Sequence, residues 1–271
     1  EKTALKSIDL TIPAGSMFGL LGPNGAGKST MINILAGLVV KTSGTAKVWG
    51  YDIDTDLRNA KRSIGVVAQE LSFDPFFTPK QILDIQAGYY GLSKSNRWTD
   101  ELLDLVGLSD KANAWMRSLS GGMKRRLMVA KAMVHKPPIL VLDEPTAGVD
   151  VELRRQLWAN VRMLNEQGTT ILLTTHYLEE AEELCDQIAI INHGDIIANE
   201  RTSALLSRID GKEIRFTVDQ EMETLPNTLA EGRLITPNSF TLCYRPAETS
   251  AGAIIDRVQG AGFTITDITT V

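Results

Sequence analysis

Cysteine is scarce in this chain: Cys185 and Cys243 are the only two in 271 residues. They lie far apart and match no metal or redox spacing, which points to two reduced thiols in a cytosolic protein and away from a disulfide framework or a catalytic cysteine. Long apolar runs are missing as well. Stretches such as Ile171–Leu173 and Ile188–Asn192 fall far short of the roughly 20 residues that a membrane-spanning helix needs, so no segment is expected to cross a bilayer. There is no excess of positive charge either. The 28 Lys and Arg are scattered and stand against 33 Asp and Glu, for a net charge of -5, which offers no stripe for a phosphate backbone and makes nucleic acid a poor partner. No secretory signal precedes the strand-like Ile8–Ile12, and the first residue is Glu1 rather than Met, so trimmed ends are expected.

What the chain does have is an alternation of short apolar runs with helix-like stretches. Runs that fit buried strands recur at Met17–Leu21, Ile64–Ala68, Ile139–Leu142 and Thr170–Thr174, which predicts an α/β fold whose sheet has parallel central strands. Gly22, Gln69, Asp143 and His176 each come just after such a run, at the edge where open α/β sheets hold their ligands. From about 71 to 117 the strand pattern stops, and helix-like segments at Pro79–Tyr90 and Arg97–Val106 predict an inserted helical subdomain. Beyond about Gly211 the texture changes again. Strand-like Glu213–Val218, Ser239–Tyr244 and Phe263–Thr269, with helix-like Ala251–Gln259, predict a small strand-rich C-terminal domain over 210–271, after a first domain over 1–209.

Three motifs carry chemistry. In Gly22-Pro23-Asn24-Gly25-Ala26-Gly27-Lys28-Ser29-Thr30, glycines allow backbone N–H groups to turn inward round an anion, and the following helix adds the positive end of its dipole. Lys28 is placed to reach terminal phosphates and the Ser29 hydroxyl to ligate Mg²⁺. At the end of the buried run Ile139–Leu142, Asp143 would hold magnesium through its water shell, while Glu144 would orient or deprotonate an attacking water. An acidic pair there could otherwise be a helix N-cap. Leu119-Ser120-Gly121-Gly122 precedes a helix-like stretch and has free N–H groups and a hydroxyl but no phosphate-binding lysine, so it reads as half of a site completed by another subunit's P-loop. Alone it would be an ordinary N-cap. The three in this order are a coincidence of about one in a million on average residue frequencies. Gln69 could contact the magnesium or the water, and His176 ends a strand at the same edge.

These residues resemble the ATP-binding cassette ATPases over about 1–209. The resemblance assigns Gly22–Thr30 as Walker A, Gln69 as the Q-loop, Leu119–Met123 as the signature, Asp143 and Glu144 as Walker B, Asp150 as the D-loop acid and His176 as the switch histidine. It implies an α/β P-loop NTPase fold with a mixed, mainly parallel central sheet, ATP and Mg²⁺ as cofactors, and Ser29, Gln69 and Asp143 around the metal. It also implies that two copies sandwich two ATPs, each facing the partner's Ser120, Gly121 and Gly122, and that closure drives a polytopic membrane subunit. The wording of Leu119–Arg126, Asp143–Asp150 and Thr174–Glu182 is similar to that of the ABC-2 class of exporters, and within it the bacterial YadG-like ATPases. That places the chain on the cytoplasmic face of the inner membrane, peripheral through its permease. Met123 stands where most cassettes have Gln, and the aromatic that stacks on adenine in the family is expected ahead of Glu1. The helical insert should grip the membrane subunit, with Phe73, Phe76, Phe77, Tyr89 and Tyr90 supplying part of the groove unless they are core.

Two other readings compete. A cassette ATPase acting as a switch on a ribosome or DNA would carry a second cassette, a coiled coil or basic arms; instead residues 212–271 hold five Lys and Arg against eight Asp and Glu. A P-loop kinase would lack Leu119–Gly122.

Overall fold

In the computed structural model of the chain, residues 3–70, 73–146, 151–209, 212–244 and 249–270 are described. Asp150 lies outside them. The chain divides into two compact units, 1–202 and 203–271; the change of texture in the sequence falls a few residues later.

The first unit begins with strand β1 (Met17–Leu21) and helix α1 (Lys28–Leu35), followed by a short hairpin of β2 (Lys47–Val48) and β3 (Tyr51–Asp52), then α2 (Leu57–Arg62) and β4 (Ile64–Val67). Three helices come next: α3 (Pro79–Tyr89), α4 (Thr99–Leu105) and α5 (Gly121–Met133). The unit continues with β5 (Ile139–Asp143), α6 (Val151–Glu166), β6 (Thr170–Thr175), α7 (Leu178–Leu184), β7 (Gln187–Asn192) and β8 (Asp195–Arg201). Six strands form one sheet in the order β4-β5-β6-β1-β7-β8. The first five run parallel and β8 pairs antiparallel to β7. The apolar runs are therefore strands of this sheet, β5, β6 and β1 inside it and β4 at its edge, with Phe18, Leu20, Val141 and Leu172 buried in one cluster. Each such side chain removed from water contributes about 1.5–3 kcal/mol.

Because the parallel strands end on one side, the residues after β1, β4, β5 and β6 emerge along a single edge. Local chemistry sets where the helices begin. Thr78 and Gln81 form a reciprocal capping box with Pro79 in the first turn of α3, and the Ser120 hydroxyl accepts from the Met123 N–H at the start of α5. Gly65 lets α5 approach the sheet: a Cβ there would lie 2.3 Å from the Ala132 carbonyl oxygen.

The expected strand at Ile8–Ile12 is not formed. Its alternation is real, since Ile8, Leu10 and Ile12 pack half-buried against the core, but the segment makes no ladder, so periodicity here records burial without pairing.

The second unit contains α8 (Thr202–Ile209), β9 (Lys212–Val218), β10 (Arg233–Thr236), β11 (Ser239–Tyr244), α9 (Ala251–Gly260) and β12 (Ile265–Thr270). Its four strands make an antiparallel sheet in the order β10-β11-β9-β12. Ile254 and Val258 of α9 share its core with Phe216 and Phe240, whose ring centroids are 5.6 Å apart. Among the described residues no helix is long and apolar enough to cross a membrane.

Candidate functional site

The loop between β1 and α1 wraps the N-terminus of α1. Gly27 holds the N-cap position at φ +116°, in the left-handed region, and no side chain caps the helix there. A non-glycine residue would be strained, and the free N–H groups of the first turn are left for an anion. A cavity of about 690 Å³ opens over this loop, lined by Asn24, Gly25, Gly27, Lys28, Ser29 and Thr30 together with Gln69 and Glu144.

Three residues that the sequence singled out separately meet at the carboxylate of Glu144. The Lys28 ammonium, only 4% exposed, donates to the Gly22 and Pro23 carbonyls at 2.7 and 3.2 Å and lies 3.2 Å from Glu144 Oε1. The other oxygen, Oε2, accepts from Gln69 Nε2 at 3.3 Å and is 3.4 Å from His176 Nδ1. Glu144 is itself 9% exposed and sits at φ +45°, an unusual conformation for a residue with a side chain, which costs of order 1–3 kcal/mol and is held only where its surroundings over-determine it. Thr174 supplies part of that hold. Its backbone oxygen and its Oγ1 both accept from the Glu144 N–H at 3.1 Å, while Oγ1 donates to Asp143 Oδ1 at 2.5 Å.

The donor set suits a small hard cation. The exposed Ser29 hydroxyl and the Gln69 amide line the cavity, and Asp143 keeps one carboxylate oxygen beyond its bond to Thr174. Among the described residues no three His, Cys, Asp or Glu form a metal cage.

Ser120, Gly121 and Gly122 do not line this cavity; Ser120, the cap of α5, and Gly121 are exposed, while Gly122 is buried in the first turn of the helix. The aromatic residues of the insert divide. Phe76 and Tyr89 are 72% and 81% exposed, Phe77 is at the exposed margin, Phe73 lies 5.8 Å beneath the Lys131 ammonium, and Tyr90 stacks on His135 at 3.7 Å. Tyr90 is thus packing rather than surface.

Sequence reasoning missed several participants. Thr3, Ala4, Lys6 and His193 line the same cavity, brought there because Lys6 N–H donates to the Gly194 carbonyl and Gly194 N–H to that of Ala26. Nothing in their spacing announces this. Glu180, 2% exposed, accepts from Thr146 Oγ1 at 2.8 Å and from Trp158 Nε1 at 3.3 Å, binding the loop after β5 to α7 and α6. Arg125 stands out in the sequence only as part of the signature's wording.

The sequence profile described as ABC transporter matches residues 5–147. The linearmycin resistance ATP-binding protein of Bacillus subtilis (strain 168) is 43% identical over 216 residues, which are 79% of this chain and 70% of that protein. The Nod factor export ATP-binding protein I of Burkholderia lata is 39% identical over 232 residues, 85% of this chain and 76% of that one. Among solved structures, the dimeric post-hydrolysis state of the ATP-binding cassette MJ0796 bound to ADP and Pi superposes with a TM-score of 0.66 at 27% identity, covering 73% of this chain and 90% of that chain.

Proposed function

Since the chain belongs to the ATP-binding subunits of ABC transporters and is an ATPase of the exporter kind, we propose that it powers a bacterial ABC-2 type exporter by closing with a second copy of itself over two ATPs, docked on a separate membrane subunit at the cytoplasmic face. The observation that carries this reading is the convergence of Lys28, Gln69 and His176 on Glu144 at the floor of the P-loop cavity.

Each residue has a role that follows from its placement. The N–H groups of Gly25–Ser29 and the Lys28 ammonium receive the β- and γ-phosphates, and an arriving phosphate competes with Glu144 for Lys28, freeing the carboxylate to take a proton from water. Gln69 and His176 orient the carboxylate and the water. Ser29, Gln69 and Asp143 hold magnesium, which when bound compensates charge on the phosphate oxygens. Ser120, Gly121 and Gly122, away from their own chain's cavity, are free to complete the partner's site through the N-terminus of α5. Asp150 is assigned to the dimer contact by family resemblance, and the strand-rich C-terminal region to a regulatory or dimer-stabilising role.

The test is the mass in solution of Glu144→Gln with and without Mg-ATP. Glutamine keeps the shape and hydrogen bonding but removes the base, so ATP stays bound and the expected result is an ATP-dependent shift from monomer to dimer. A variant that stays monomeric with ATP bound would remove the shared-site reading and favour a nucleotide switch.

A further inference from the structure

Arg125 lies just over one turn into α5 and is 5% exposed. Its guanidinium makes four hydrogen bonds, all to backbone carbonyls: Nη1 donates to Ala68 and Gln69 at 2.9 Å each, Nη2 to Glu144 at 2.9 Å, and Nε to Pro145 at 2.7 Å. Among the described residues no carboxylate lies within ion-pair distance of it; Asp143 and Glu180 act on it from farther away. Burial accordingly pulls its pKa below the usual arginine range.

A buried cation without a bonded anion is a poor device for stability alone, because an apolar side chain of similar volume would avoid the desolvation cost. What a guanidinium offers is a rigid planar fork that aims several donors in fixed directions. Here the fork reaches two loops that are remote in sequence, the one carrying Gln69 after β4 and the one carrying Glu144 after β5. The strained Glu144 backbone is thereby pinned on both sides, its N–H by Thr174 and its carbonyl by Arg125.

We propose that Arg125 is a positioning residue for ATP hydrolysis, holding the Gln69 and Glu144 loops at a fixed separation and tying both to α5. The proposal rests on Glu144 and Gln69 acting as assigned above. It also gives α5 a second role. The helix whose first turn carries Ser120 sets the geometry of its own chain's base, so displacement of α5 moves Glu144.

The experiment compares the full chain with Arg125→Lys, Arg125→Gln, Glu144→Gln and the double variant Arg125→Gln/Glu144→Gln. Phosphate release is followed against Mg-ATP concentration, and affinity is measured by displacement of a fluorescent ATP analogue. Misplacing a reacting group by about 1 Å costs on the order of 100-fold, so Arg125→Gln should lower kcat by about 10- to 100-fold with nucleotide affinity kept within about threefold. Arg125→Lys, which can satisfy at most three of the four carbonyls, should fall between it and the unaltered chain. In the Glu144→Gln background, Arg125→Gln should remove no further activity. Unaltered kcat in Arg125→Gln, equal losses of kcat and affinity, an undiminished loss in the Glu144→Gln background, or failure of both Arg125 variants to fold would each overturn the proposal. Full turnover in Glu144→Gln would instead overturn the assignment of the base on which it stands.

Discussion

The Lys28 ammonium has three protons and three acceptors, the Gly22 and Pro23 carbonyls and Glu144 Oε1. Removing it does two things at once. Lys28→Ala withdraws the phosphate contact and leaves the Glu144 carboxylate buried without that cation, a change that typically costs about 3–5 kcal/mol when a buried pair is broken from one side. The double variant Lys28→Ala/Glu144→Gln carries no such charge, so its thermal midpoint should exceed that of Lys28→Ala alone, while neither binds ATP well; differential scanning calorimetry and nucleotide titration measure the two effects. His135 gives the pH dependence. Burial depresses its pKa from 6.5 to about 4, with Nε2 donating to the Ile64 carbonyl at 3.2 Å and Nδ1 finding no hydrogen-bond partner among the described residues. The unfolded chain therefore takes up a proton below about pH 6.5 that the folded chain refuses until about pH 4, and stability falls as pH is lowered through that window. The loss is at most about 3 kcal/mol, reduced by solvent screening because the ring is only partly buried. His135→Phe keeps the ring against Tyr90 and should flatten the fall in urea midpoint between pH 7 and pH 5.

Among the elements, α3 presents Phe76 just ahead of its first turn and Tyr89 at its end to solvent. Phe76→Glu and Tyr89→Glu should abolish co-purification with the membrane subunit while hydrolysis by the isolated chain continues; unchanged co-purification would remove α3 from the docking surface. How readable each element was depended on where its information lies. Strands β1, β4, β5 and β6 were legible because a buried parallel strand is a continuous apolar run, and α3 and α5 because their caps are local. The edge strands β8 and β10 were not, since Asp195–Arg201 and Arg233–Thr236 are half polar and owe their pairing to neighbours. Ile8–Ile12 erred in the opposite direction, with strand-like alternation spent on core contacts. The site divided in the same way. Gln69 and His176 were singled out because each comes just after a strand, Lys28 from the glycine-rich motif and Glu144 from the acidic pair after β5, whereas Arg125 bonds to four carbonyls whose nearness exists only after folding. Thr3, Lys6 and His193 reach the cavity through backbone bonds that no residue type specifies.

At the scale of the whole molecule, two units each carry their own core, one around Phe18 and Leu20, the other around Phe216 and Phe240, and every described residue assigned to hydrolysis lies in the first. The parallel order of the first sheet also governs time. Gln69 and Glu144 are 75 positions apart, and no hairpin can join them, because parallel neighbours require a crossover. Helices form within microseconds, but non-local pairings of this kind must first close long loops and are slow. The meeting of Gln69 with Glu144 is consequently among the last things a refolding chain acquires, and a half-folded chain with full helical content lacks it.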